Sequence, residues 1–165
     1  RPMLKRYKSN LKTDKNPIST LIPTAQNNSG FYSGLNSEGT KLVQELFDAK
    51  IMDYPKPISL MSALISQVAV NNDIVLDFFA GSATTAHATM KLNAEDGGNR
   101  KWICVQLGES CDRDSEAYKA GYNTIADIAR ERIRRAGKKI QKENKGKPLD
   151  VGFKSFSLAK SNFLF

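Results

Sequence analysis

Two short apolar runs, at residues 74–79 and 102–107, constrain this chain more than any other feature of its sequence. Each is too short for an ordinary helix and too uniformly apolar for a strand with one wet face. Such runs read as strands buried on both faces of a parallel sheet. Parallel strands need a crossover of a dozen or more residues, usually helical. The intervening sequence supplies one: Ala80-Gly81-Ser82 breaks the first run, residues 84–92 read as a helix, and Gly97-Gly98 turns the chain into the second run. The predicted fold class is α/β with a mostly parallel sheet, built on this β-α-β unit.

The flanking sequence adds helices. Leu42, Val43, Leu46 and Phe47 share one face of a short helix at 38–48. Asp53-Tyr54-Pro55-Lys56-Pro57 is too rich in proline for a helix or a central strand. Ser59 is the predicted N-cap of a second helix, with Leu60, Met61, Leu64, Ile65 and Val68 as its apolar stripe and Asn71-Asn72 as its end. A long helix is predicted from Thr124, with Asp127 completing a capping-box-like start. Its stripe is Ile125, Ile128, Ala129, Ile133, Ala136 and Ile140, which leaves the arginines on the opposite face. Residues 153–158 read as a third strand. Residues 1–36 are polar and turn-rich, with a short candidate strand at 18–22, and form a connector or the edge of a neighbouring region; residues 37–165 form the domain.

The formal net charge of +8 is unevenly placed. One basic block spans Arg1 to Lys15. The other includes Arg130, Arg132, Arg134, Arg135, Lys138, Lys139, Lys142, Lys145 and Lys147, opposed by Glu131 and Glu143. Such a block suits a phosphate backbone, because neutralising phosphates releases condensed counterions; a solvated helix face is the plainer alternative. A nucleic acid is one partner this charge fits, with Arg130, Arg134, Arg135 and Lys138 as its candidate contacts. No apolar run approaches the roughly 20 residues that cross a bilayer, and a cytoplasmic location is expected. Cys104 and Cys111 lack metal-ligand spacing, His87 is the sole histidine, and both cysteines read as free thiols.

The chemistry concentrates at the end of the first run. An apolar strand closing on Asp77, followed by Gly81 and Ser82 in a tight turn, lets backbone N–H groups approach a ligand at a helix N-terminus. Glu109 lies just past the second run, where a carboxylate can accept two hydrogen bonds from ribose hydroxyls. This is a nucleoside-binding arrangement, with a bare strand–helix connection and a solvated Glu109 as the structural alternative. A dinucleotide is disfavoured, because Gly81 is followed by Ser82 and Ala83 rather than by further glycines.

The literal string Asp77-Phe78-Phe79-Ala80-Gly81-Ser82-Ala83-Thr84-Thr85-Ala86-His87-Ala88 resembles the cofactor-loop motif of DNA amino-methyltransferases. Tyr54-Pro55-Lys56-Pro57 resembles the motif that precedes it in the permuted group, and Gln106-Leu107-Gly108-Glu109 resembles the acidic motif that follows. Glu116-Ala117-Tyr118-Lys119-Ala120-Gly121-Tyr122 and Glu131-Arg132-Ile133-Arg134-Arg135-Ala136 are similar to segments of type III modification subunits. The resemblance covers about residues 38–163. It implies a partial Rossmann-like methyltransferase fold and S-adenosylmethionine as cofactor. Asp77, Phe78, Phe79, Ala80, Gly81, Ser82, Thr84 and Glu109 would hold the cofactor, with Lys56 and Pro57 at its methionine end.

Two departures from the family pattern stand out. Ala83 occupies a position where family members usually carry glycine, so a methyl group there is expected to crowd the cofactor or strain a backbone of positive φ. The family's catalytic Asp-Pro-Pro-Tyr tetrapeptide is absent, and Asp53-Tyr54-Pro55 has the wrong order and context to replace it. In the permuted group the catalytic and target-recognition segments precede the cofactor half. The resemblance therefore implies the C-terminal, cofactor-binding portion of a site-specific DNA adenine-N6 methyltransferase, without catalytic residues of its own. Its implied partners are double-stranded DNA, the N-terminal remainder of the enzyme and a restriction subunit, with self-association when alone. One half of a split methyltransferase, or a non-catalytic remnant serving as an interaction module, are the competing readings.

Overall fold

The structure is a computed structural model that describes Ile22 and residues 33–159. Its elements run α1 (Asn36–Phe47), α2 (Ile58–Val68), β1 (Ile74–Asp77), α3 (Thr84–Asp96), β2 (Lys101–Cys104), α4 (Glu116–Lys119) and α5 (Ile125–Glu143). The predicted β-α-β unit is present: β1 and β2 pair in parallel, with Ile74 opposite Lys101 and Asp77 opposite Cys104. Gly97, at φ +72, ends α3 in the left-handed conformation that a glycine adopts at no steric cost. Arg100 then closes the turn, donating to both carboxylate oxygens of Asp96 and to the Ala69 carbonyl.

The two strands are not buried on both faces. Val75, Trp102 and Cys104 pack toward the helices, whereas Ile74 and Ile103 are 61% and 49% exposed on the other side. Among the described residues the helices cover one face only, so the apolar run reports a face that has no cover here. The core is made where helices meet this sheet and one another. Ala86, Met90 and Ala94 of α3 pack against Ala129, Ile133, Ala136 and Ile140 of α5. Small residues on both helices set this spacing, and Gly137 lets Val151 lie close against α5.

Three local expectations need correcting. Ser59 is not the N-cap of α2; Pro57 is, and it has no side-chain acceptor. Glu38 of α1 reaches across instead, accepting from the Ser59 N–H at 3.0 Å and the Ser59 hydroxyl at 2.6 Å. Residues 153–158 form no strand: Phe153 packs on Trp102, at 5.9 Å between ring centroids, and under Arg134. Nor do all the arginines of α5 face outward, because Arg132 is fully buried. The candidate strand at 18–22 lies, apart from Ile22, outside the described residues.

Candidate functional site

The chain leaves β1 at Asp77 and makes a turn through Gly81 (φ +52) and Ala83 (φ +59) before α3 begins at Thr84. Asp77 organises this turn from its base. One carboxylate oxygen accepts from the Phe79 N–H at 3.0 Å and the other from the Thr85 hydroxyl at 2.5 Å. Ala80 N–H donates to the Val105 carbonyl, and Gly81 N–H to the Gln106 side-chain oxygen at 2.7 Å. The loop after β2 is thereby tied to the loop after β1. Gln106 is a joining residue that sequence reasoning passed over, although it stood in the acidic motif.

Ala83 is strained as expected, since an L-residue in the left-handed region costs about 1–2 kcal/mol. Ala83 is wholly buried, in the core cluster that includes Ala86, Met90 and Ala129, so its methyl group has no exposed surface. Among the described residues no side chain caps the N-terminus of α3. The N–H groups that a helix start leaves unpaired are thus not claimed by a capping side chain. Phe78 and Phe79 stand out from the loop, Phe79 at 87% exposure.

The proline segment comes to the same place. Gly39 of α1 lies so close to the Pro55 and Lys56 carbonyls that a β-carbon there would stand 2.1 Å from the Pro55 oxygen. This close approach holds the segment against α1, and Met52 brings its methyl carbon to 3.8 Å from where a Gly81 side chain would begin. Pro57 is fully buried, while Lys56 projects into solvent. Glu109 is exposed with a fixed backbone: its carbonyl accepts from Ile125 N–H at 2.9 Å, and Ser110 bridges to Thr124. The first turn of α5 thus anchors the acidic loop.

The basic helix divides into different environments. Arg130 pairs with Asp127 and Arg134 lies 3.6 Å from Glu131. Arg135 serves packing: it donates to Glu131 and to the Leu46 carbonyl and lies over the Phe47 ring at 4.8 Å. Lys138 is exposed. Tyr122 packs edge-on against Phe47. Arg132, read from sequence as a surface charge, donates from one terminal nitrogen to the Ser82 and Thr84 hydroxyls at 2.6 and 2.8 Å. Ala129 and Ala136 flank it one turn away on each side, but its acceptors lie 48 and 50 residues back in the chain, so the sequence did not mark its burial.

A parallel strand pair thus carries a glycine turn at the end of its first strand, an acid beyond the second and a proline segment beside the turn, the parts expected from the sequence. The chain belongs to the DNA methylase family, whose family model matches residues 5–143. It is 45% identical over 124 residues to the type III restriction-modification enzyme StyLTI Mod subunit of Salmonella typhimurium, covering 75% of this chain and 19% of that protein. It is 35% identical over 149 residues to the EcoPI Mod subunit of Escherichia phage P1, covering 88% and 23%. The type II methyltransferase M.KpnI of Klebsiella pneumoniae is 35% identical over 130 residues, covering 79% and 29%. The chain therefore spans less than a third of the length of each of these relatives.

Proposed function

We propose that this chain is the S-adenosylmethionine-binding portion of a DNA adenine-N6 methyltransferase of the type III modification kind. The observation that supports this most is the loop from Asp77 to Thr84, held open in left-handed turns by its own acid and by Gln106. The donor set fits the cofactor: backbone N–H groups at the start of α3 suit its polar end, the exposed Glu109 suits ribose hydroxyls, and Phe79 offers an apolar face to adenine. Lys56 and Pro57 would flank the methionine end. When bound, the cofactor supplies an activated methyl group. This chain's part is to hold and orient it, which is where much of the rate of a group transfer arises.

The target adenine would be flipped out of duplex DNA and held by acceptors that the 165 residues do not include. Arg130, Arg134 and Lys138 would face DNA or the remainder of the enzyme, whereas the packing of Arg135 makes it the weakest of the four candidates. The uncovered sheet face favours a chain that works against further protein, either the rest of one polypeptide or a separate catalytic half, with a restriction subunit as a further partner. Calorimetric titration with S-adenosylmethionine, comparing the unaltered protein with Glu109→Ala, tests the cofactor reading. Loss of Glu109 should weaken binding by about 1.5–3 kcal/mol, the worth of hydrogen bonds to a charged group. Equal affinities would remove Glu109 from the site, and no binding by either form would favour the non-catalytic module.

A further inference from the structure

Arg132 has no part in that reading, yet its environment is the least expected in the described chain. It sits in the middle of α5 with none of its side chain exposed. Nε and one terminal nitrogen are buried without a hydrogen-bond partner, and no salt bridge reaches it among the described residues. Burial pushes its pKa down to about 10. A buried cation without a counter-charge is poor value for stability, and an apolar side chain of similar volume often does as well or better.

Its contacts show what it does instead. The one engaged terminal nitrogen donates to the Ser82 hydroxyl, to the Thr84 hydroxyl and, at 3.5 Å, to the Ser82 carbonyl. Ser82 and Thr84 are the residues on either side of left-handed Ala83, where the backbone is under strain. Asp77 restrains the turn through Phe79 and Thr85, but among the described residues no side chain caps the helix that follows Ala83. The guanidinium, itself buried, ties both flanking hydroxyls to α5.

We propose that Arg132 is a positioning residue that holds residues 82–84 in the strained turn from which the loop meets its ligand. The identity of that ligand rests on the cofactor reading above; the restraint of the turn rests on the contacts alone. The test is amide hydrogen exchange on the protein with Arg132→Met, read at Gly81 and Ala83, whose N–H groups are bonded at 2.7 Å. Both should exchange about tenfold faster or more, as the loss of charge-assisted bonds predicts. The α5 amides should keep their rates, and the Tm should stay level or rise. Affinity for S-adenosylmethionine should fall about tenfold or more without any loss of Tm.

A merely structural Arg132 would give a different pattern, a lower Tm with loop and α5 amides accelerating together, and that result would overturn the proposal. Unchanged exchange at Gly81 and Ala83 would do the same. Should Arg132→Met fail to fold, the paired substitution of Ser82→Ala with Thr84→Val removes both hydroxyl acceptors from the loop side. Faster Ala83 exchange with unaltered α5 rates then upholds the tie, and unaltered Ala83 exchange refutes it. If the loop responds but the unaltered protein binds no S-adenosylmethionine, the restraint stands and the cofactor reading fails.

Discussion

His87, one turn into α3, is 4% exposed, and its Nδ1 is buried without a partner. Burial, then the Arg132 charge, and after it Lys91 and Lys139 push its pKa down to about 3. The imidazole is neutral in the fold, so between pH 6.5 and about 3 the unfolded chain binds the extra proton. Stability from this residue is fully present above pH 6.5 and is lost as pH falls through that window. Denaturant unfolding should show a loss of up to about 1.4 kcal/mol per pH unit from this one group. His87→Leu should remove that part of the slope while leaving stability near neutral pH level or improved. Parallel slopes for the two proteins would mean that His87 can be protonated within the fold. The sequence showed His87 only as the sole histidine; its unpaired Nδ1 was not legible, because it depends on what the rest of the fold places opposite. Cys104 was legible as a free thiol, and burial first, then Asp77, raises its pKa to about 11.

At the scale of elements, α5 shows which sequence signals survive folding. Its start is a full capping box: the Thr124 hydroxyl accepts from Asp127 N–H at 3.2 Å, and the Asp127 carboxylate accepts from Thr124 N–H at 2.9 Å. Asp127 is held below the usual carboxylate range, first by its bond from the Thr124 side chain. Such a signal is local, complete within four residues, and so could be read directly. Thr124→Ala should cost about 1 kcal/mol, within the 0.5–2 kcal/mol span of lost N-caps, measured by urea unfolding at neutral pH. The same residue bridges to Ser110 beside Glu109, so cofactor affinity should fall with it; a stability loss without an affinity loss would show the acidic loop holding its place unaided. What could not be read was non-local. Arg132 is bonded, inside the fold, to two hydroxyls 48 and 50 residues away, Thr84 at the start of α3 and Ser82 in the turn before it. Phe153 spends its ring on Trp102 instead of opening a strand, and Ser59 is bonded by a carboxylate from another helix. Patterns of apolar residues identify which elements form, not which side chain closes a gap between them.

At the scale of the whole molecule, the sheet has one clothed face and one bare face. Ile74, Leu76, Ile103 and Val105 form an apolar patch on the bare side, with Leu107 at 66% exposure beyond it. Neither outer edge of the β1–β2 pair carries a further strand among the described residues. Open edges with free N–H and C=O groups are templates for pairing with another chain, and exposed apolar surface adds to the drive. The 165-residue chain alone should therefore self-associate in a concentration-dependent way, and it should transfer no methyl group to DNA, since its sequence contains no Asp-Pro-Pro-Tyr motif. Light scattering across a concentration series measures the first, and incubation with labelled S-adenosylmethionine and mixed-sequence duplex DNA the second. Replacing Leu76 and Ile103 together with lysine places charge on the bare face without touching the helical core. This variant should run as a monomer, with a circular dichroism spectrum matching the unaltered chain. Association that persists unchanged in the double variant would locate the contact elsewhere. A monodisperse, unaltered monomer that methylates adenine would show that the chain holds a catalytic site of its own.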